Sequence, residues 1–169
     1  MRQMSFADMH CSLARSLEVM GDWWTPLIVR DVYLGVDRFQ DLADDLGISR
    51  NLLTARLTAL VDNGILTRVP YSERPPRHRY ALTEAGEELV SVLIALTAWG
   101  DRWRAPAEGP PIRFEHHGHE VRPQVSCGEC GEALEPAGIT PKPGPGGRAA
   151  PGTMVVARRL AERAGHRPH

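Results

Sequence analysis

At 169 residues, 42% of them hydrophobic and with a formal net charge of −1, the chain is long enough for one core of about a hundred residues plus an appendage. No run approaches the roughly twenty apolar residues that span a bilayer, and "MRQMSFADMH" lacks the apolar centre of a secretion signal. Three cysteines in that setting point to reduced thiols in the cytoplasm, not to a disulfide framework, and with Lys142 the only lysine the positive charge is carried by arginine.

In chain order, two helices are expected over 12–20 and 24–33, separated by Gly21-Asp22. Leu13, Leu17, Met20, Trp24, Leu27, Ile28 and Val32 read as core, and Trp23 and Trp24 as buried anchors in preference to a ligand-stacking pair. Cys11 stands just before the first of these helices, where the positive end of a helix favours a reactive thiolate; the plainer reading is a small packing residue.

A third helix is expected over 39–46, because Phe39, Leu42, Ala43 and Leu46 recur at spacings of three and four. Gly47 suits the left-handed residue that ends a helix, Ile48 a hydrophobic plug, and Ser49 an N-cap. From Arg50 to Asn63 a fourth helix buries Leu52, Leu53, Leu57, Leu60 and Val61, leaving Arg50, Asn51, Thr54, Arg56 and Thr58 free. Arginine bridges guanine, asparagine bridges adenine, and threonine touches phosphate or a thymine methyl. "ILTRVPYSERPPRHRYALT" then reads as two strands about a turn holding Glu73, Arg74, Pro75 and Pro76, with Arg74, Arg77 and His78 at its tip. Between Ser49 and Tyr80, six arginines face only Asp62 and Glu73, a local excess of four positive charges on a near-neutral chain. Concentrated basicity of this kind suits phosphate contact. The pattern is a helix-turn-helix followed by a basic wing.

Thr83, Glu84 and Glu87 begin a long helix to about Trp103. Its stripe of Leu89, Leu93, Leu96, Trp99 and Trp103, with Val90, Val92 and Ile94 beside it, exceeds what a small domain needs and is expected to join two copies of the chain.

"RAPAEGPP" over 104–111 closes this domain, expected to span 1–105. In the next segment, 112–140, Cys127 and Cys130 form a Cys-Gly-Glu-Cys-Gly knuckle that can supply two thiolates to one tetrahedral zinc. His116, His117 and His119 lie about ten residues upstream, across an expected strand at 121–125, as candidates for the other ligands. The alternative is a metal-free hairpin with free thiols. Over 141–169 a Pro/Gly-rich stretch leads to a short basic helix, 153–163. Its glycines do not make a phosphate loop, since no strand precedes them in a βαβ setting. No enzyme motif stands: Pro123 occupies the place of the second histidine after His119-Glu120, and there is no GxSxG elbow.

Four segments, "CSLARSLEVMGDWWTPLIVRDVYLG", "RFQDLADDLGIS", "LTARLTALVDNGIL" and "PPRHRYALTEAG", resemble in order the HxlR family of bacterial winged-helix transcription regulators over about 11–103. The resemblance implies a dimeric regulator, expected to be a repressor, on inverted half-sites, with the helix after the wing in the dimer interface. It also implies that a cysteine at the place of Cys11 can sense oxidants, often by crossing to another subunit. In longer members of the family the tail carries Cys-Gly where this chain has His117-Gly118, which makes His117 the substituted ligand and His116 or His119 the fourth.

The expected fold is therefore mainly α with a small β-wing, a winged helix-turn-helix plus a C-terminal zinc-ribbon-like hairpin. The expected function is regulation of transcription on double-stranded DNA, with Ser49, Arg50, Asn51, Thr54, Arg56, Arg74, Arg77 and His78 at the contact. The rival is a winged protein-interaction adaptor with a structural zinc. No residue set argues for an effector ligand.

Overall fold

The computed structural model describes residues 5–165. The elements run α1 (Ser12–Met20), α2 (Trp24–Tyr33), α3 (Phe39–Leu46), α4 (Arg50–Asp62), β1 (Leu66–Glu73), β2 (Pro76–Leu82), α5 (Glu84–Arg104), β3 (Glu115–His116), β4 (His119–Glu120), a 3₁₀ turn (Pro136–Gly138) and α6 (Met154–Gly165). They fall into two compact units, one of residues 22–126, the other of 127–165 together with 5–21.

Within 22–126 the core is made where helical and strand periods converge. Ile28, Val29 and Val32 of α2, Leu42 of α3, Leu53, Leu57 and Leu60 of α4, Leu66 of β1, and Val90 and Leu93 of α5 are buried together with the plug Ile48. Burying each such side chain contributes about 1.5–3 kcal/mol. Gly47, at φ 61, takes the left-handed cap that lets α3 turn into α4. The wing is an antiparallel ladder from Leu66↔Leu82 to Glu73↔Pro76, with a bulge between Pro70 and Ser72. Thr83 caps α5 by accepting the Gly86 N–H, and a Cβ on Gly86 would strike the Ile65 carbonyl, so α5 starts hard against the foot of the wing.

Several expectations change. Trp23 is 90% exposed, because Asp22 accepts the amide hydrogens of Trp24 and Thr25 and sets the first turn of α2 with Trp24 inward and Trp23 outward. Leu13 and Leu17 of α1 are exposed, not core. No strand forms over 121–125: Pro123 removes a ladder donor, and the hairpin closes earlier, where His117 (φ 51) and Gly118 (φ 80) supply the paired positive φ of a tight two-residue turn.

In the other unit, His10 donates its N–H to the Pro151 carbonyl at 2.7 Å and its ring contacts the Gly146 carbonyl at 2.8 Å. A Cβ added at Gly152 would meet the side chains of Met9 and Cys11. Glu18 accepts from Ser5 and from the Phe6 amide, which holds its carboxyl below the usual range.

Candidate nucleic-acid interface

Ser49 begins α4 as an extended N-cap whose hydroxyl accepts the Leu52 N–H at 3.4 Å. Because Leu53, Leu57 and Leu60 face the core, Arg50, Asn51, Thr54 and Ala55 face solvent on the first two turns. Arg50 is held there: it donates to Gln40 at 2.6 Å, Gln40 donates to Asp44 at 2.7 Å, and the guanidinium lies 5.1 Å from the Phe39 ring centroid. Thr54 donates to the Arg50 carbonyl at 2.8 Å, which leaves its methyl and a hydroxyl lone pair for a partner.

Arg56 does not join this shoulder. Its Nε lies 3.0 Å from Asp22 Oδ2, with both side chains largely covered, so it ties α4 to the start of α2. The sequence leaves Arg56 free because its partner is distant along the chain.

On the wing, Arg74, Arg77, His78 and Arg79 are all exposed. The two-residue period of β2 puts Arg77 and Arg79 on one face and His78 on the other, with Tyr80 and Leu82. His78 is thus not a facial neighbour of Arg77; Arg79 is. The wing is also strapped to the chain ahead of α3: Arg38 bridges Arg79, Tyr80 donates to the Asp37 carbonyl at 2.8 Å, and the Arg38 guanidinium sits 5.0 Å from the Tyr71 ring centroid. Arg38 and Gln40 are additions that periodicity could not find. The only local sign of Arg38 is its place before the helix, where its backbone is extended.

Behind the helices, Asp31 is buried, with Arg30 Nη2 2.6 Å away and Arg30 also reaching Asp45 at 3.7 Å. Burial pushes the Asp31 carboxyl above its ordinary range, and Arg30 pulls against that.

The long helix departs from the expected stripe at one position. Leu93 is 8% exposed and belongs to its own core, whereas Val92, Leu96, Trp99 and Trp103 are each more than half exposed. With half-buried Leu89 they recur at three and four, an unpartnered seam along α5.

The expected zinc ligands fall into two groups. Cys127 and Cys130 form a closed knuckle: the Gly131 N–H donates to the Cys127 carbonyl, and the Cys127 N–H to the Glu132 carbonyl, both at 2.8 Å. The amides of Cys130 and Glu129 and the Cys130 thiol point at the Cys127 sulfur and lower its pKa, which fits a thiolate donor pair. His116 and His119 pair across the β3–β4 hairpin with ring centroids 6.1 Å apart, and His117 sits in the turn. Among the described residues no group of three or more His, Cys, Asp or Glu side chains is gathered for a metal. Cys11 is half-buried at the N-cap of α1.

A capped recognition helix, a short helix crossing before it and a two-stranded arginine wing define a winged helix-turn-helix protein of the DNA-binding class. The chain belongs to the HxlR-like helix-turn-helix family, whose model matches residues 19–108. It is 46% identical over 140 residues to the uncharacterized HTH-type transcriptional regulator Rv3095 of Mycobacterium tuberculosis, covering 82% of this chain and 89% of the relative. The crystal structure of PA1607, a candidate transcription factor, is similar at a TM-score of 0.73 and 33% identity, over 82% of this chain and 99% of that one. The redox regulator HypR in its reduced form is similar at a TM-score of 0.53 and 28% identity, over 56% of this chain and 94% of that one. The protein is a helix-turn-helix transcriptional regulator. Among the described residues no helix is long and apolar enough to cross a membrane.

Proposed function

We propose that the protein is a homodimeric repressor that binds inverted half-sites about one helical turn apart, with α4 in the major groove and the wing on the flanking backbone. The observation that carries this reading is the capped, solvent-facing shoulder of Arg50, Asn51 and Thr54 beside an arginine hairpin. Asn51 and Thr54 read bases, Arg50 joins them from its Gln40 tether, and Arg74, Arg77, Arg79 and Arg38 take phosphates. Arg56 positions the helix instead of reading bases. The α5 seam of Leu89, Val92, Leu96, Trp99 and Trp103 supports pairing of two copies, because a stripe of that size in water marks a contact. The test is footprinting on the DNA upstream of the protein's own gene; an inverted pair of protected half-sites is expected, and uniform, sequence-blind protection contradicts it.

The Cys127–Cys130 knuckle supports a structural zinc, with His116, His117 and His119 as the remaining candidates. A site closed by protein ligands would be structural. A second reading, thiol sensing at Cys11, is favoured by the likeness to HypR and by the place of Cys11 at the head of α1. Its test is treatment with diamide: Cys11 reacts and DNA affinity changes together, and reaction with unchanged affinity removes the switch.

A further inference from the structure

Three side chains of α3 and α4 are joined in a row: Arg50 Nη1 donates to Gln40 Oε1 at 2.6 Å, and Gln40 Nε2 donates to Asp44 Oδ1 at 2.7 Å. Gln40 and Asp44 stand four residues apart, so one face of α3 carries both. Chemistry sets the direction of the row. A carboxylate only accepts, so Asp44 claims an N–H of the Gln40 amide and turns the amide oxygen toward Arg50. The Phe39 ring lies against the Arg50 guanidinium, 5.1 Å from centroid to carbon. One guanidinium N–H is thus committed, and the others have no hydrogen-bond partner among the described residues. Gln40, Asp44 and Arg50 are all exposed, and the joint between the two helices is already made by buried Leu42, Ile48 and Leu53 with the Gly47 turn. Exposed polar contacts add little to stability, so what these supply is the orientation of Arg50.

We infer that Gln40, set by Asp44, is a positioning residue for operator reading: it holds the Arg50 guanidinium ready to bridge a guanine in the major groove. This rests on the DNA-binding reading above and deepens it by giving one base of the half-site to Arg50. An untethered arginine at the head of α4 serves phosphate and base alike, because its long side chain reaches either. Held by Gln40 and Phe39, Arg50 keeps its remaining N–H fork for the paired acceptors of guanine and loses less freedom on binding. The Asp44 carboxylate, one amide away, disfavours a phosphate at this place and leaves a base edge as the partner. Gln40 acts through Arg50 and touches no base itself.

The experiment compares full-length Gln40→Ala, Asp44→Asn, Arg50→Ala and the Gln40→Ala/Arg50→Ala double variant with the parent protein. Affinity is read by fluorescence anisotropy on the footprinted duplex and on its single-base variants, across a salt series. Arg50→Ala is expected to relax the preference for guanine at one position of each half-site. Gln40→Ala lowers that same preference about two- to tenfold, the cost of ordering a freed arginine, and leaves the other positions as they are. Its salt slope matches the parent's, because an amide neutralises no phosphate. In the Arg50→Ala background, Gln40→Ala has no further effect. Asp44→Asn lowers the preference at that position too, since an amide there can also donate and lets Gln40 turn its oxygen away from Arg50. The inference is overturned if Gln40→Ala keeps the parent's preference, if its effect adds to that of Arg50→Ala, if the loss spreads over the whole site, or if Asp44→Asn sharpens the preference. Specific binding in which Arg50→Ala changes no base preference overturns it as well. Absence of specific binding by the parent overturns the DNA-binding reading itself.

Discussion

Arg50 reaches back across the turn to Gln40, and Gln40 to Asp44, so a side chain that periodicity leaves free is held between two helices before any partner arrives. Preorganisation of this kind lowers the entropy lost on binding. Asn51 beside it has no such tether among the described residues, and Asn51→Ala is expected to relax base preference at one operator position, at a cost of about 1–3 kcal/mol, measured by competition among single-base operator variants. Arg56→Ala is expected to behave differently: about 1 kcal/mol lower stability in urea and weaker binding to all sequences alike, since its ion pair with Asp22 sets the helix. Asp31 gives a pH signature. Its folded carboxyl is raised, so its contribution to stability is full below the ordinary carboxylate range and is lost as pH rises through the raised value. Asp31→Asn lacks that term. Its stability relative to the parent is therefore expected to improve as pH rises above the ordinary carboxylate range in urea titrations, and a constant difference would refute the assignment.

At the scale of elements, helices and caps were legible because their causes are local. The helix spans 12–20, 24–33 and 39–46, the Gly47 turn and the Ser49 and Thr83 caps are found where spacing and side-chain chemistry put them. What was not legible depends on partners remote in the chain: the Arg38 bridge to the wing, the Arg56–Asp22 tie, and Leu93 turning inward while Val92 turns out. A hydrophobic stripe read from sequence does not say which of two adjacent apolar residues the core will take. Placing charge in the exposed seam tests its assignment: Leu96→Asp with Trp99→Asp is expected to convert the proposed dimer to monomer in sedimentation, with helix content kept. A dimer that survives both changes would put the interface elsewhere. Arg74→Ala, at the wing tip, is expected to weaken binding to every sequence and to flatten the salt slope by about one unit.

Over the whole molecule, the family match ends at residue 108, and the knuckle and tail lie beyond it. Cys127 and Cys130 were legible from their spacing, and the amides turned on the Cys127 sulfur follow from the same short loop. The histidine arrangement was less so, because it depends on where the hairpin turns, and His117-Gly118 turns it earlier than an alternating strand pattern suggests. Metal analysis of tag-free protein is expected to give near one zinc per chain, lowered by Cys127→Ser; a metal-free preparation would remove the site. The DNA-binding account as a whole is tested most directly by the salt dependence of affinity for the duplex upstream of the protein's own gene. If the four phosphate-binding arginines of each of two copies neutralise about eight phosphates, log affinity falls against log salt with a slope near −7 on a site of inverted symmetry. A slope near zero, or equal affinity for unrelated duplexes throughout the series, would contradict it.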